Sequence, residues 1–295
     1  MNRFPTKILL ATDGSEDAAL ALRAAVDLSV RSGAELHVVH VWQAVPSYPH
    51  PAILLATDSD LYEREAQKIL FEQLDEVGAA GGVATGAYLE RGRPADMITG
   101  LSERIAADLV VMGSRGLGPV TRLVVGSVSE EVVYQATRPV LVVRGNATAW
   151  PPARVVVGDD SSEGAKRAGG LAAHIGSLCG ARVLLVRAYP TFLKISDAVK
   201  VVDTPSTLEE ALGRHEAALW LRAGALESVL GQRPRIKVAE GEAASVILAA
   251  AEKGEEPTLI VVGSRGLSAI DRLRLGSVST KVLRAATGPV LICPF

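Results

Sequence analysis

The chain is poor in cysteine: Cys179 and Cys293 are the two in 295 residues, far apart and with no metal-ligand spacing. Each lies in or beside an apolar run, the pattern of a buried thiol rather than of a disulfide or redox pair. Aromatic residues are scarce too, at 4%. The apolar content is therefore mostly Ala, Val and Leu, the mixture of buried parallel strands covered by Ala-rich helices. No run of about 18 apolar residues occurs, and Met1 to Pro5 leads into a strand pattern with no apolar leader, which reads as a soluble, cytoplasmic protein with no membrane partner. A net charge of -2 argues against a nucleic-acid binder that neutralises many phosphates. The pattern G-x-x-x-x-G-K-[ST] is also missing, so the chain is not a P-loop NTPase.

What is present is a globular composition, 48% hydrophobic and 22% charged, in a chain longer than a single core usually supports. Two domains are expected, and the sequence repeats itself accordingly. KILLATDGSEDA from Lys7 is answered by RVVVGDDSSEGA from Arg154, and GAELHVVHVW from Gly33 by GARVLLVRAY from Gly180, both at an offset of 147. DLVVMGSRGL from Asp108 matches TLIVVGSRGL from Thr258, and RPVLVV from Arg138 matches GPVLIC from Gly288, now at an offset of 150. The drift places about three extra residues in the middle of the second copy, where surface loops tolerate them. The predicted domains are residues 1–145 and 154–295, joined by a linker over 146–153 that Trp150-Pro151-Pro152 stiffens.

Short β-branched runs alternate with stretches of helical period in each copy, the signature of βαβ units. In copy one, strands are expected at Lys7 to Thr12, Glu35 to Val41, Thr85 to Leu89, Leu109 to Met112 and Val140 to Val143. Helices are expected at Glu16 to Arg31, Leu61 to Ala79, Ala95 to Ala106 and Val128 to Ala136. Copy two repeats the plan from Arg154 to Cys293. The predicted fold class is α/β, two tandem doubly wound domains with five-stranded parallel sheets, whose ligands sit at the carboxyl ends of the strands. The proline-bearing excursions 43–60 and 190–207 emerge at that edge as lids, passive cover or partner contacts.

The most specific feature is GSRGLGPVTRLVVGSVS, Gly113 to Ser129, matched by GSRGLSAIDRLRLGSVS, Gly263 to Ser279. Each opens at the end of a fourth strand and closes where a helix begins. Glycines admit a phosphate close to the backbone, while helix N-terminal amides and the macrodipole favour an anion. Turn glycines and capping serines are the other reading, but turns alone do not require the same nine-residue spacer twice. Arg115 and Arg265 lie inside the cradle and Arg122 and Arg272 in its spacer, as phosphate-screening forks or as solvated loop cations. Asp13, at the exit of the first strand, is either an acceptor for ribose or adenine or a helix N-cap. Copy two has Asp159-Asp160-Ser161 where copy one has Thr12-Asp13-Gly14, so equal affinity at the two sites is not expected.

These residues resemble the universal stress protein family, in its tandem, ATP-binding type. The resemblance rests on the strand-ending aspartates, G-x-x-G-x9-G-S and the P-V-L-V-V final strand, and it covers nearly the whole chain. It implies an adenine-nucleotide alpha-hydrolase-like fold that binds ATP together with Mg2+. Carried over by position, Asp13 and the backbone near Val41 would hold the adenosine. Met112 and Gly113 would flank the nucleotide, with Gly116, Gly126, Ser127, Val128 and Ser129 around the phosphates. The copy-two counterparts are Asp160, Ala188, Val262, Gly263, Gly266, Gly276, Ser277, Val278 and Ser279. The family also implies final strands that pair across a two-fold axis, hence an intrachain pseudo-dimer and a possible homodimer.

Catalytic equipment is thin. Glu130 and Glu131 follow Ser129 and could reach Mg2+ through water, but Thr280 and Lys281 replace them in copy two, and acids at a helix start also serve as dipole partners. None of the five histidines has nucleophile or metal spacing. The favoured function is an ATP-binding stress or regulatory protein acting through unidentified protein partners. A slow ATPase or autophosphorylating enzyme using Ser127 or Ser129, and a scaffold with empty cradles, are the alternatives.

Overall fold

The computed structural model describes residues 4–43, 59–116, 125–146, 148–189, 205–264 and 275–294, without the side chains of 59, 205–209 and 211. It divides into two units, residues 1–151 and 152–293. In unit 1 the strands are β1 (Lys7–Ala11), β2 (Glu35–Trp42), β3 (Ala84–Arg91), β4 (Leu109–Gly113) and β5 (Val140–Val143). The helices are α1 (Glu16–Ser32), α2 (Ser59–Ala79), α3 (Pro94–Arg104) and α4 (Ser127–Gln135). Unit 2 repeats the series with β6 (Arg154–Gly158), α5 (Glu163–Cys179), β7 (Arg182–Tyr189), α6 (Pro205–Leu230), β8 (Arg235–Glu240), α7 (Ala243–Ala251), β9 (Thr258–Gly263), α8 (Ser277–Ala285) and β10 (Val290–Cys293).

All strand pairs within a unit are parallel, in the order β3-β2-β1-β4-β5 in unit 1 and β8-β7-β6-β9-β10 in unit 2. The expected doubly wound α/β architecture is therefore present in both copies. Ile8, Leu9 and Leu10 of β1 and Leu109, Val110 and Val111 of β4 are wholly buried, as strands covered on both faces must be. Edge strand β3 alternates between half-buried and exposed positions over its first half. The strand order reverses between β1 and β4, which opens a crevice at their carboxyl ends.

Local chemistry sets the entry to that crevice. Ser15 caps α1 by accepting the Ala18 amide at 3.3 Å, and Gly33 ends the helix in the left-handed region at φ 72°. Ser162 and Gly180 do the same for α5. Cys293 is fully buried on β10, where burial pushes its thiol ionisation up. Trp150 donates its indole N–H to Asp27 on α1 at 2.9 Å, which ties the connecting segment to unit 1.

Candidate functional site

The turn after β1 is built by Asp13. Its Oδ1 accepts the Ser15 amide at 3.1 Å, and the intervening Gly14 takes φ 76°. Ser15, not Asp13, is the N-cap of α1, so the capping alternative for Asp13 is set aside. The other oxygen, Oδ2, lies over Gly116 so closely that a Cβ at 116 would collide with it. A side chain at 116 would therefore have to displace the Asp13 carboxylate.

Around Asp13 a cleft of about 280 Å³ opens at the carboxyl ends of β1, β2 and β4. The unit 1 residues carried over from the family pattern, together with Arg115, line it: Asp13, Val41, Met112, Gly113, Arg115, Gly116, Gly126, Ser127, Val128 and Ser129, whereas Glu130 and Glu131 do not. Sequence reasoning missed six others, Ala11, Thr12, Ala18, Val39, Pro94 and Ile98. Of these, Ala11 could have been found as the end of a buried strand, and Val39 as a residue in the carboxyl half of another. Pro94 and Ile98 come from the first turns of α3, and no local pattern points them at this crevice.

Opposite the apolar wall stands the first turn of α4. The helix has no side-chain cap, and its first intrahelical bond runs from the Glu130 amide to the Gly126 carbonyl at 3.0 Å. The amides of Ser127, Val128 and Ser129 therefore lack an intrahelical acceptor and present an anion site. Ser127 is exposed, whereas Ser129 is buried and donates its hydroxyl to the carbonyls of Gly113 at 2.9 Å and Ser114 at 3.0 Å. Ser129 thus clamps α4 to the end of β4. Ser129 lines the cleft as expected by position, but its hydroxyl proton is committed to the backbone, which leaves its amide as the donor.

Three residues of the cleft carry structural duties as well. Gly113 is a packing glycine, since a Cβ there would fall 2.7 Å from the Asp17 carbonyl carbon and 2.8 Å from the Ala18 nitrogen. Gly126 sits at φ -67°, so no left-handed backbone is needed; its constraint is a Cβ that would lie 3.1 Å from the Ser114 carbonyl oxygen. Arg115 lines the cleft, yet its fork is held by Asp17, Nε to Oδ2 at 3.1 Å and Nη2 to Oδ1 at 2.8 Å. That pairing pushes the Arg115 ionisation further up. Asp17 is a residue the sequence did not reveal. Nearby, burial lowers the pKa of Arg144 to about 10, which leaves it charged at neutral pH.

In unit 2, Asp160 is exposed and makes the same turn, accepting the Ser162 amide at 2.9 Å. Ser161 replaces glycine yet keeps φ 71°, held by Arg187 Nη2 on its hydroxyl at 2.6 Å. Ala188 is the last residue but one of β7, Val262 and Gly263 end β9, and Gly276 caps α8, whose first turn carries Ser277, Val278 and Ser279. Ser279 repeats the clamp, donating to the Gly263 carbonyl at 2.6 Å. Arg265 and Gly266 lie outside the described residues, as do Arg122, Arg272, His50 and nearly all of 43–60 and 190–204.

The unit 1 cleft joins apolar walls to a cluster of backbone donors, which suits a ligand with a flat apolar part and an anionic tail. A nucleotide fits these residues, with the Asp13 carboxylate in the lining as an acceptor. For Mg2+, Glu131 is turned to Arg93 at 2.5 Å, and among the described residues no cluster of three or more acids, histidines or cysteines could hold a metal ion. Nor is any described helix long and apolar enough to cross a membrane.

The model of the universal stress protein family matches residues 5–144 and again 152–294. A universal stress protein of Thermus aquaticus is 40% identical over 142 residues, 46% of this chain and 97% of that one. One from Mycobacterium bovis is 30% identical over 297 residues, 97% of this chain and 96% of that one. Among solved structures, a universal stress protein from Archaeoglobus fulgidus, 25% identical, covers 98% of this chain and 96% of its own with a TM-score of 0.66. With the family pattern present twice and relatives that span both copies, the chain belongs to the universal stress protein family.

Proposed function

We propose that the protein is an ATP-binding regulatory member of its family, with the unit 1 cleft as the principal site. The observation that carries this reading is the joining, in one cleft, of the Val39, Val41, Ile98 and Met112 wall to the uncapped first turn of α4. Adenine packs on the wall, Asp13 accepts from the ribose or the adenine amino group, and the 127–129 amides take the phosphates. Mg2+ bound with the triphosphate would supply charge neutralisation there, without a side-chain cluster of the described residues to hold it. Asp160 and the first turn of α8 offer a second, weaker site.

Binding without fast turnover is the expected behaviour, because positioned amides hold phosphate charge but do not orient an attacking water. ATP at about 100 times its Kd adds roughly 2.7 kcal/mol per site. A Tm rise of several degrees is therefore expected with ATP and with a non-hydrolysable analogue alike, with hydrolysis far below the usual enzyme range of about 1 to 1,000 per second. No shift with either nucleotide rejects the reading. Fast turnover abolished by Ser127→Ala favours the enzyme instead, since Ser127 has the exposed hydroxyl of the pair.

A further inference from the structure

The unit 1 cleft contains a charge device that unit 2 does not share. Asp17, in the first turn of α1, is 5% exposed, and both of its carboxylate oxygens are engaged. Oδ2 accepts the Ser114 hydroxyl at 2.6 Å and Arg115 Nε at 3.1 Å, and Oδ1 accepts Arg115 Nη2 at 2.8 Å. The Arg115 carbonyl in turn accepts the Ser15 hydroxyl at 3.2 Å. Arg144 is close enough to feel both charges, and exposed Glu16 acts on Arg115 from the same turn of α1.

The geometry also identifies the matching position in unit 2. The missing Cβ of Gly113 points at Asp17 and Ala18, and that of Gly263 points at Gly164 and Ala165, 2.9 Å from the Gly164 carbonyl carbon. Asp17 and Gly164 thus occupy one place over the end of the same strand. Arg144, which follows the last strand of copy one, has Pro294 as its sequence counterpart. Unit 2 has neither the carboxylate nor the second arginine.

We propose that Asp17 sets the phosphate-charge preference of the unit 1 cleft, by holding the Arg115 fork on its own carboxylate beside the anion end. This rests on the reading of that cleft as a nucleotide site. Arginine is suited to grip phosphate in a bidentate manner, and here that capacity is turned inward. The buried negative charge opposes each added phosphate, so the margin by which ATP binds better than AMP is held down.

The test is two-site titration calorimetry of the full chain with ATP and with AMP. Asp17→Asn keeps the shape and one acceptor while removing the charge, and it is expected to raise the ratio of ATP to AMP affinity by roughly five- to tenfold. Arg115→Gln leaves the Asp17 charge uncompensated and is expected to lower the ratio by a similar factor; the site it alters is unit 1. Arg115 is about a quarter exposed, so this variant keeps the test available should Asp17→Asn fail to fold. A purely structural role for Asp17 would weaken both nucleotides together and leave the ratio unmoved, and that result in the two variants overturns the proposal. If the unchanged protein binds neither nucleotide, the nucleotide reading itself has failed, a result visible before any variant is made.

Discussion

Arg187 reaches Asp159 twice, donating from Nε to its main-chain carbonyl at 3.0 Å and from Nη2 to its carboxylate at 2.5 Å. Arg222 of α6 completes the grip, Nε to Oδ2 at 3.0 Å, around a carboxylate that is 1% exposed. Unit 1 solves the same junction without an acid–arginine pair. There His40 Nδ1 lies 2.9 Å from the Thr12 carbonyl, and the Thr12 hydroxyl donates to Gln73 at 2.6 Å. The two copies thus share a backbone and differ in what fills the corner between the first strand, the second strand and the helix that follows it.

Removing Asp159 leaves two guanidiniums without their buried partner. Asp159→Ala is expected to destabilise unit 2 by about 3–5 kcal/mol, the range for breaking a buried ion pair from one side. Thr12→Val removes a neutral hydrogen bond and should cost unit 1 about 1–2 kcal/mol. Urea unfolding of both variants checks this; equal costs would show that the Asp159 pairing contributes no more than the Thr12 bond.

Gly113 and Gly263 are predicted to be needed for packing, independently of any ligand. Gly113→Ala forces β4 away from the first turn of α1, where the new methyl would meet backbone at 2.7 Å. A loss of about 2–3 kcal/mol is expected in the absence of nucleotide. A variant as stable as the parent would contradict the close approach.

Gly126→Ala separates folding from binding. Its φ of -67° is ordinary, so the strain is limited to a contact at 3.1 Å with the Ser114 carbonyl oxygen, and about 1 kcal/mol of stability should be lost. Under the proposed function, ATP affinity falls several-fold because the cradle backbone moves. Unchanged affinity in a well-folded Gly126→Ala, Gly276→Ala double variant would reject the cradle assignment.

Glu242 caps α7 by accepting the Ser245 amide at 2.9 Å, and this bond, ahead of the Ser245 hydroxyl and Lys281, lowers its pKa below 4.5. A lowered carboxylate pKa gives stability that is full above the unfolded value and is lost as pH falls through the folded one. Glu242→Ala should therefore cost about 0.5–2 kcal/mol near neutral pH, the usual value of a cap, and almost nothing below the folded pKa. Unfolding free energies followed from pH 7 down through the acid range measure the difference. A cost that persists undiminished at low pH would assign the effect to packing instead.

The repeat, the strands and the helices were legible because each is written in local periodicity. The strand from Val140 to Val143 matches its expected bounds, and α4 begins one residue before its expected start. The G-x-x-G and G-S segments were legible as parts of one cradle because turn and helix-start chemistry is local. Their separate duties were not. Gly113 is a glycine on account of α1, nearly a hundred positions earlier in the chain, and no window of sequence contains both partners.

The sequence by itself determined the two-copy α/β organisation through short-range pattern and spacing, and, through its motifs and the family resemblance they carry, ten of the unit 1 residues that line one cleft. Tertiary structure alone decided which groups are spent on holding the cleft together: Asp17 on Arg115, the Ser129 hydroxyl on the end of β4, Asp159 between two arginines. The physical reason is that a charge or a hydroxyl bonds whatever the fold brings within about 3 Å of it. For these side chains that partner comes from an element that sequence distance conceals.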